Sequence, residues 1–179
     1  MKKNQTIKEL KMAKKYIPKT KEELENLLFK ETWEKDSISF KETDINLADI
    51  DTRYITNMSG LFSCSRKRTD FSGIESWDTS NVENMSSMFA FVENFNADIS
   101  SWNVSKVKNM ARMFFCSPNF NQPLDKWDTS NVENMSHMFE NAAVFNQNLD
   151  SWNVGKVKDF DKMFQDSPLQ SNPPKWYKH

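Results

Sequence analysis

The chain has 179 residues, a formal net charge of −1, 37% apolar and 13% aromatic residues, two His, two Cys and three Gly. That length suits one domain, and few but large apolar residues predict a thin core filled by rings. No run approaches the roughly 18 apolar residues of a membrane span. Three scattered glycines exclude a glycine-rich phosphate loop, no Cys/His cluster has metal-ligand spacing, and no nucleophile has a base nearby in sequence, so catalysis has no visible carrier.

Residues 1–21 hold eight Lys against one acid, Glu9, a surplus of seven that leaves −8 for the rest of the chain. The opening MKKNQTIKEL has basic residues but no apolar core, so a secretory signal peptide is not expected and the sequence alone reads as cytoplasmic. Thr6-Ile7-Lys8-Glu9 matches a capping box and predicts a short helix reaching Lys15. Residues 1–17 are read as a basic arm that is solvated or packs on the protein's own acidic face; no nucleic-acid partner is expected.

After Pro18, Thr20-Lys21-Glu22-Glu23 is a second capping box, and Leu24, Leu27 and Leu28 form an apolar stripe running toward Trp33. Ile38 and Phe40 alternate as an edge strand would. Residues 18–49 are therefore read as a helical N-terminal cap covering the core of the repeats that begin at Ile50.

From Trp77 to Ser151 one 25-residue sentence recurs three times: WDTSNVENMSSMF…FNADISS, WNVSKVKNMARMF…FNQPLDK and WDTSNVENMSHMF…FNQNLDS. Trp stands at 77, 102, 127 and 152, and Val at 82, 107, 132 and 157. Met85, Met110, Met135 and Phe160 follow, then Met88, Met113, Met138 and Met163, then Phe89, Phe114, Phe139 and Phe164. Phe95, Phe120 and Phe145 come next, then Ile99, Leu124 and Leu149. A degenerate earlier copy has Ile50, Ile55, Met58, Phe62 and Ile74 in these columns, with two extra residues in the basic turn Ser65-Arg66-Lys67-Arg68. A fixed period of this size predicts five coils of a solenoid from about Ile50 to Trp176, in which stacking buries faces that one coil cannot. Residues 50–179 form this unit, and Pro173-Pro174, lacking N–H groups, stops propagation.

Val82, Met85, Met88 and Phe89 lie at i, i+3, i+6 and i+7, one stripe of a short helix, and Ser80-Asn81-Val82-Glu83 matches a capping box at its start. Ile99 to Val104 is a β-favouring run that would pair in parallel with its copy one coil away, over two or three residues. Cys64 and Cys116 share a column two coils apart, too far for a disulfide, and are read as buried thiols. His137 falls on a solvent-facing helix position.

These repeats closely resemble the BspA-type leucine-rich-repeat family of bacterial surface proteins, in its 25-residue W-D-x-S-x-V-x-N-M-S-x-M-F variety, a domain of unknown function. The flanks Tyr16-Ile17-Pro18-Lys19-Thr20 and Pro173-Pro174-Lys175-Trp176-Tyr177 resemble that family as well. The resemblance implies an α/β solenoid of right-handed coils, each a short parallel strand plus a short helix. It also implies adhesion or protein binding at the cell surface.

The expected function is accordingly a non-enzymatic protein-interaction scaffold, without cofactor or metal; a polysaccharide- or cation-binding module is the alternative. If Ile74, Ile99, Leu124 and Leu149 point inward, their neighbours Glu75, Asp98, Ser100, Asp125, Asn148 and Asp150 point outward as an acidic lane. Such a lane suits a basic protein segment, including the lysine arm as its own competitor, with Ca²⁺ a weaker candidate. Glu83, Lys108, Glu133 and Lys158 alternate in sign along one column, which would fix the register of neighbouring coils. Asn96, Asn121 and Asn146 are expected to satisfy backbone groups left bare in the turns.

Overall fold

The computed structural model of the chain describes residues 14–34, 37–43, 45–65 and 68–178, with the backbone alone for 30–34 and 37–42. The helix expected after Pro18 is present. α1 spans Lys21–Leu28, the Thr20 hydroxyl accepts the Glu23 N–H at 3.1 Å, and Glu23 accepts the Lys19 N–H at 2.6 Å, one residue earlier than a strict capping box. Leu24 and Leu28 are fully buried, with Leu27 packed beside them. The stripe stops short of Trp33, because the backbone turns extended at Phe29 and continues as β1 (Phe29–Glu34), antiparallel to β2 (Ser37–Glu42).

The helix expected from Thr6 lies outside the described residues except at its end, where Lys14 and Lys15 are not helical. Tyr16 instead bridges Ile50 in parallel: Lys15 and Tyr16 donate to the Asp49 carbonyl, and the Asp51 N–H donates to that of Tyr16.

Beyond Glu42 the backbone is largely irregular. Its regular elements among the described residues are three single-turn 3-10 segments, Leu47–Asp49, Ile74–Ser76 and Pro168–Gln170. The strand and helix expected in every repeat are absent, and the two halves exchange roles. Around Ile99 the chain closes a turn, with the Trp102 N–H on the Ile99 carbonyl at 3.1 Å; Trp77, Trp127 and Trp152 do the same on Ile74, Leu124 and Leu149. The half with helical spacing is where neighbouring units meet.

Isolated parallel bridges link Asn57, Asn84, Asn109, Asn134 and Asp159 in succession. From there every second N–H crosses to the next unit. Met85, Ser87, Phe89 and Phe91 donate to the carbonyls of Asn109, Ala111, Met113 and Phe115 at 2.8–2.9 Å, and the preceding and following units repeat the pattern. The intervening N–H groups of Met88, Ala90 and Val92 stay home, closing turns on Met85, Ser87 and Phe89. A turn joins i to i+3 as a helix does, so the spacing of Val82, Met85, Met88 and Phe89 imitates a helix. The left-handed φ of Ser87 (57°) and Phe91 (60°), repeated at Arg112, Cys116, His137, Asn141, Lys162 and Asp166, rules one out.

The core is one large buried aromatic cluster. Phe62, Phe89, Phe114, Phe139 and Phe164 stack face to face with centroids 5.5–5.9 Å apart. Phe95, Phe120 and Phe145 form a second column at 5.4–5.8 Å. The columns touch within each unit, at 3.7 Å for Phe89–Phe95 and 4.0 Å for the next two pairs. Pairs of this kind contribute about 0.5–1.5 kcal/mol each beyond area burial. Met85, Met88 and their repeats fill the space beside them at 0% exposure.

Four buried Trp and the half-buried Trp176 also anchor their neighbours. The Nε1–H of Trp77, Trp102, Trp127, Trp152 and Trp176 donates to the carbonyl of Leu47, Ile74, Ile99, Leu124 and Leu149 at 2.7–3.1 Å. Leu47 and Trp176 thereby complete columns that the repeats alone did not show. At the junction of the first two units, a Cβ on Gly73 (φ 91°) would lie 2.3 Å from the Ala48 nitrogen, so only glycine fits.

The cysteines are free but not buried as expected: Cys64 is exposed and Cys116 half-buried. Both occupy the left-handed corner at the end of the turn run, where the side chain is thrown outward. His137 is not on a helix either. It is 19% exposed, its Nδ1 hydrogen-bonds Glu140 Oε2, and its Nε2 lies 3.6 Å from Asp161 Oδ2.

Candidate functional site

Ile74, Ile99, Leu124 and Leu149 are buried to within 1%, which turns the residues beside them outward. Glu75, Asp98, Asp125, Asn148 and Asp150 are exposed and Ser100 is half-buried. These residues sit on turns rather than on a strand, and the turns use one oxygen each of Glu75, Asp98 and Asn148. Glu75 accepts the Gly73 N–H at 2.9 Å, Asp98 accepts that of Ser100 at 2.9 Å, and Asn148 accepts that of Asp150 at 2.8 Å. The Ser100 contact holds the Asp98 carboxyl below its ordinary pKa. Pro123, between Asp98 and Asn148 in its column, offers no such group.

Asp150 is neutralised by a residue the repeats did not point to. Lys175 donates its backbone N–H at 2.9 Å and its Nζ lies at 2.8 Å, which together lower the Asp150 pKa. The lane is therefore not a uniform row of like charges. Glu75 and Asp98 come together in a cleft of about 400 Å³, shared with Asp70, Ser72, Asn94 and Asn96, while Asp125 and Asp150 lie outside it. Asp70 follows the turn that carries the two extra residues, so no repeat column contains it; its own carboxyl accepts the Ser72 N–H at 2.8 Å and is held low. Among the described residues no three His, Cys, Asp or Glu side chains converge as metal ligands, which leaves the Ca²⁺ candidate without a donor set.

The other repeated polar columns are occupied in holding units together. Lys108 Nζ lies 2.7 Å from Glu83 Oε2, and Lys158 Nζ 2.6 Å from Glu133 Oε2, so the alternation of sign does place opposite charges side by side. Asn96 Oδ1 accepts the Asn121 N–H at 3.0 Å, and Asn121 Oδ1 accepts the Asn146 N–H at 3.1 Å. A second asparagine column, at the bridges, does the same kind of work within each unit. The Oδ1 of Asn84, Asn109 and Asn134 accepts the N–H two residues on, at 2.9 Å, a role that the recurrence of Asn at the 25-residue period could have signalled.

Adjoining the acidic cleft at Asn94, a cleft of about 370 Å³ is also lined by Phe91, Glu93, Cys116, Pro118 and Asn119. Burial, and then the charge of Glu140, raises the Cys116 thiol pKa, so it is no activated nucleophile.

The model of a family described as "Mycoplasma protein of unknown function, DUF285" matches residues 28–115 and again residues 56–176. No curated protein and no solved structure matches the chain.

Proposed function

We propose that this chain, which belongs to the DUF285 family, is a non-enzymatic protein-interaction scaffold whose repeats stack as the coils of a right-handed, leucine-rich-repeat-like solenoid. The ladder of N–H groups crossing from each unit to the next supports the solenoid reading. BspA-type adhesion at a bacterial surface is the role such a scaffold serves, and shaving intact cells with protease tests that location.

The partner is a basic segment of another protein. The observation that carries this is the cleft uniting Asp70, Glu75 and Asp98, three carboxylates with two asparagine amides beside them and no lysine among the described residues of the lining. Titrating a synthetic lysine-rich peptide into the chain at low salt is expected to show binding that weakens as salt rises. The variant Asp70→Asn/Glu75→Gln/Asp98→Asn loses it, whereas Asp150→Asn, already paired with Lys175, changes it little. Deleting residues 1–13 strengthens binding if the arm competes for the cleft. Unchanged affinity and salt dependence in the triple variant would overturn the assignment.

A further inference from the structure

The row of donors that joins the units is left open at the last one. In each of the first four, N–H groups at two-residue spacing cross to the next unit: from Met58, Gly60, Phe62 and Cys64 in the first, to Met135, His137, Phe139 and Asn141 in the fourth. The equivalent groups of the fifth are the N–H groups of Phe160, Lys162, Phe164 and Asp166. Among the described residues the first three meet no acceptor, while that of Asp166 donates to Gln170 Oε1 at 2.6 Å. A cleft of about 460 Å³ runs along this edge, walled by Phe160, Phe164 and Tyr177.

We propose that this edge binds an extended segment of another protein, laid parallel to residues 160–164 so that its carbonyls at alternate positions accept the open N–H groups of half-buried Phe160 and exposed Lys162, Phe164 being buried under Tyr177. The site continues an interface that the chain already makes four times with itself, so its geometry for main-chain acceptors is built in. Gln170 shows the preference directly, since the one donor it can reach has taken a side-chain carbonyl oxygen. Tyr177 covers Phe164 edge-on at 4.9 Å, closing the aromatic column, while Phe160, met by Trp176 at 5.9 Å and Tyr177 at 6.2 Å, stays half-buried, so the incoming segment supplies backbone together with an apolar side chain against the rest of Phe160.

A second copy of the chain does not meet these needs. The carbonyls of residues 159, 161, 163 and 165 are already occupied, so the same face of a second molecule offers donors to donors. Among the described residues the other open row is the carbonyls of Asn57, Ser59, Leu61 and Ser63, and it lies beside α1. There Lys21 Nζ contacts Ser59 Oγ at 3.3 Å and the Phe29 ring lies 6.5 Å from that of Phe62. A copy approaching head to tail would have to displace that helix. The inference does not rest on the acidic cleft, which is a different surface.

The test is amide hydrogen exchange of the full chain, read by NMR, with a synthetic peptide of residues 131–142 as probe. That segment already fills such a row within the protein through the carbonyls of Asn134, Ser136, Met138 and Glu140. At saturating peptide, exchange at Phe160 and Lys162 is expected to slow about tenfold, a scrambled peptide leaving it unchanged. The same result is expected in the Asp70→Asn/Glu75→Gln/Asp98→Asn variant, which separates this site from the cleft. Unaltered exchange overturns the proposal. Equal slowing by the scrambled peptide or by sulfate alone, or slowing with protein concentration in the absence of peptide, overturns it in favour of an anion site or of self-association.

Discussion

The left-handed corner is the residue-level device of this fold. In the first unit it is filled by Gly60 (φ 63°), and later by Ser87, Arg112, His137 and Lys162 at φ 52–58°. An L side chain there costs about 1–2 kcal/mol, whereas glycine carries about 0.5–1 kcal/mol of extra chain entropy. Nothing lies within 4 Å of a Cβ built on Gly60, so Gly60→Ala isolates the backbone strain and should lower stability by about 1 kcal/mol in urea denaturation. Arg112→Gly, at an exposed corner, should raise stability by about half a kcal/mol in the same assay. The columns of Trp, Met and Phe are legible in the sequence because size and apolarity are written there directly. The corners are not, because Ser, Arg, His and Lys carry no sign that they adopt a glycine-like conformation.

At the scale of the element, the repeat is a run of turns tied sideways rather than a strand followed by a helix. Period and register can be read from the sequence, yet local conformation cannot, since Met85 and Met88 three apart fit a turn as well as a helix. Deciding between them needs the destination of each N–H, and that lies in the next unit, 24 residues away. The cap differs: for α1 the Thr20 and Glu23 side chains themselves report where the N–H groups go, and the helix lies where they place it. The charge pairs belong to this scale as well. Lys108→Glu places like charges on adjacent units where Lys108 now meets Glu83 and faces Glu133, and should lower the melting temperature at low salt. The loss should vanish in high salt, because both partners are more than half exposed.

For the molecule as a whole, carboxylates tie units and turns together at many points. Lys108 holds the Glu83 pKa down, Lys158 that of Glu133, Arg53 that of Asp51, and Lys175 that of Asp150. A group whose folded pKa is depressed stabilises above its unfolded pKa and loses that contribution as pH falls through the folded one. The melting temperature should therefore be flat near neutrality and fall below about pH 4, and a thermal melt series across that range checks it. Of the candidate site, the outward neighbours of Ile74 and Ile99 can be read from alternation, but their union with Asp70 depends on a turn of irregular length. The one-way ladder has an electrical consequence. Four peptide groups per unit point their N–H toward the next unit, while two, as at Lys108 and Asn109 to Glu83, point back, so a net dipole remains along the direction in which the units follow one another. The N-terminal end is then the negative pole, and Lys14 Nζ on the Ala48 carbonyl and Lys21 Nζ on Ser59 sit where that field favours positive charge. Lys14 and Lys21 thus act as counter-ions to the backbone itself.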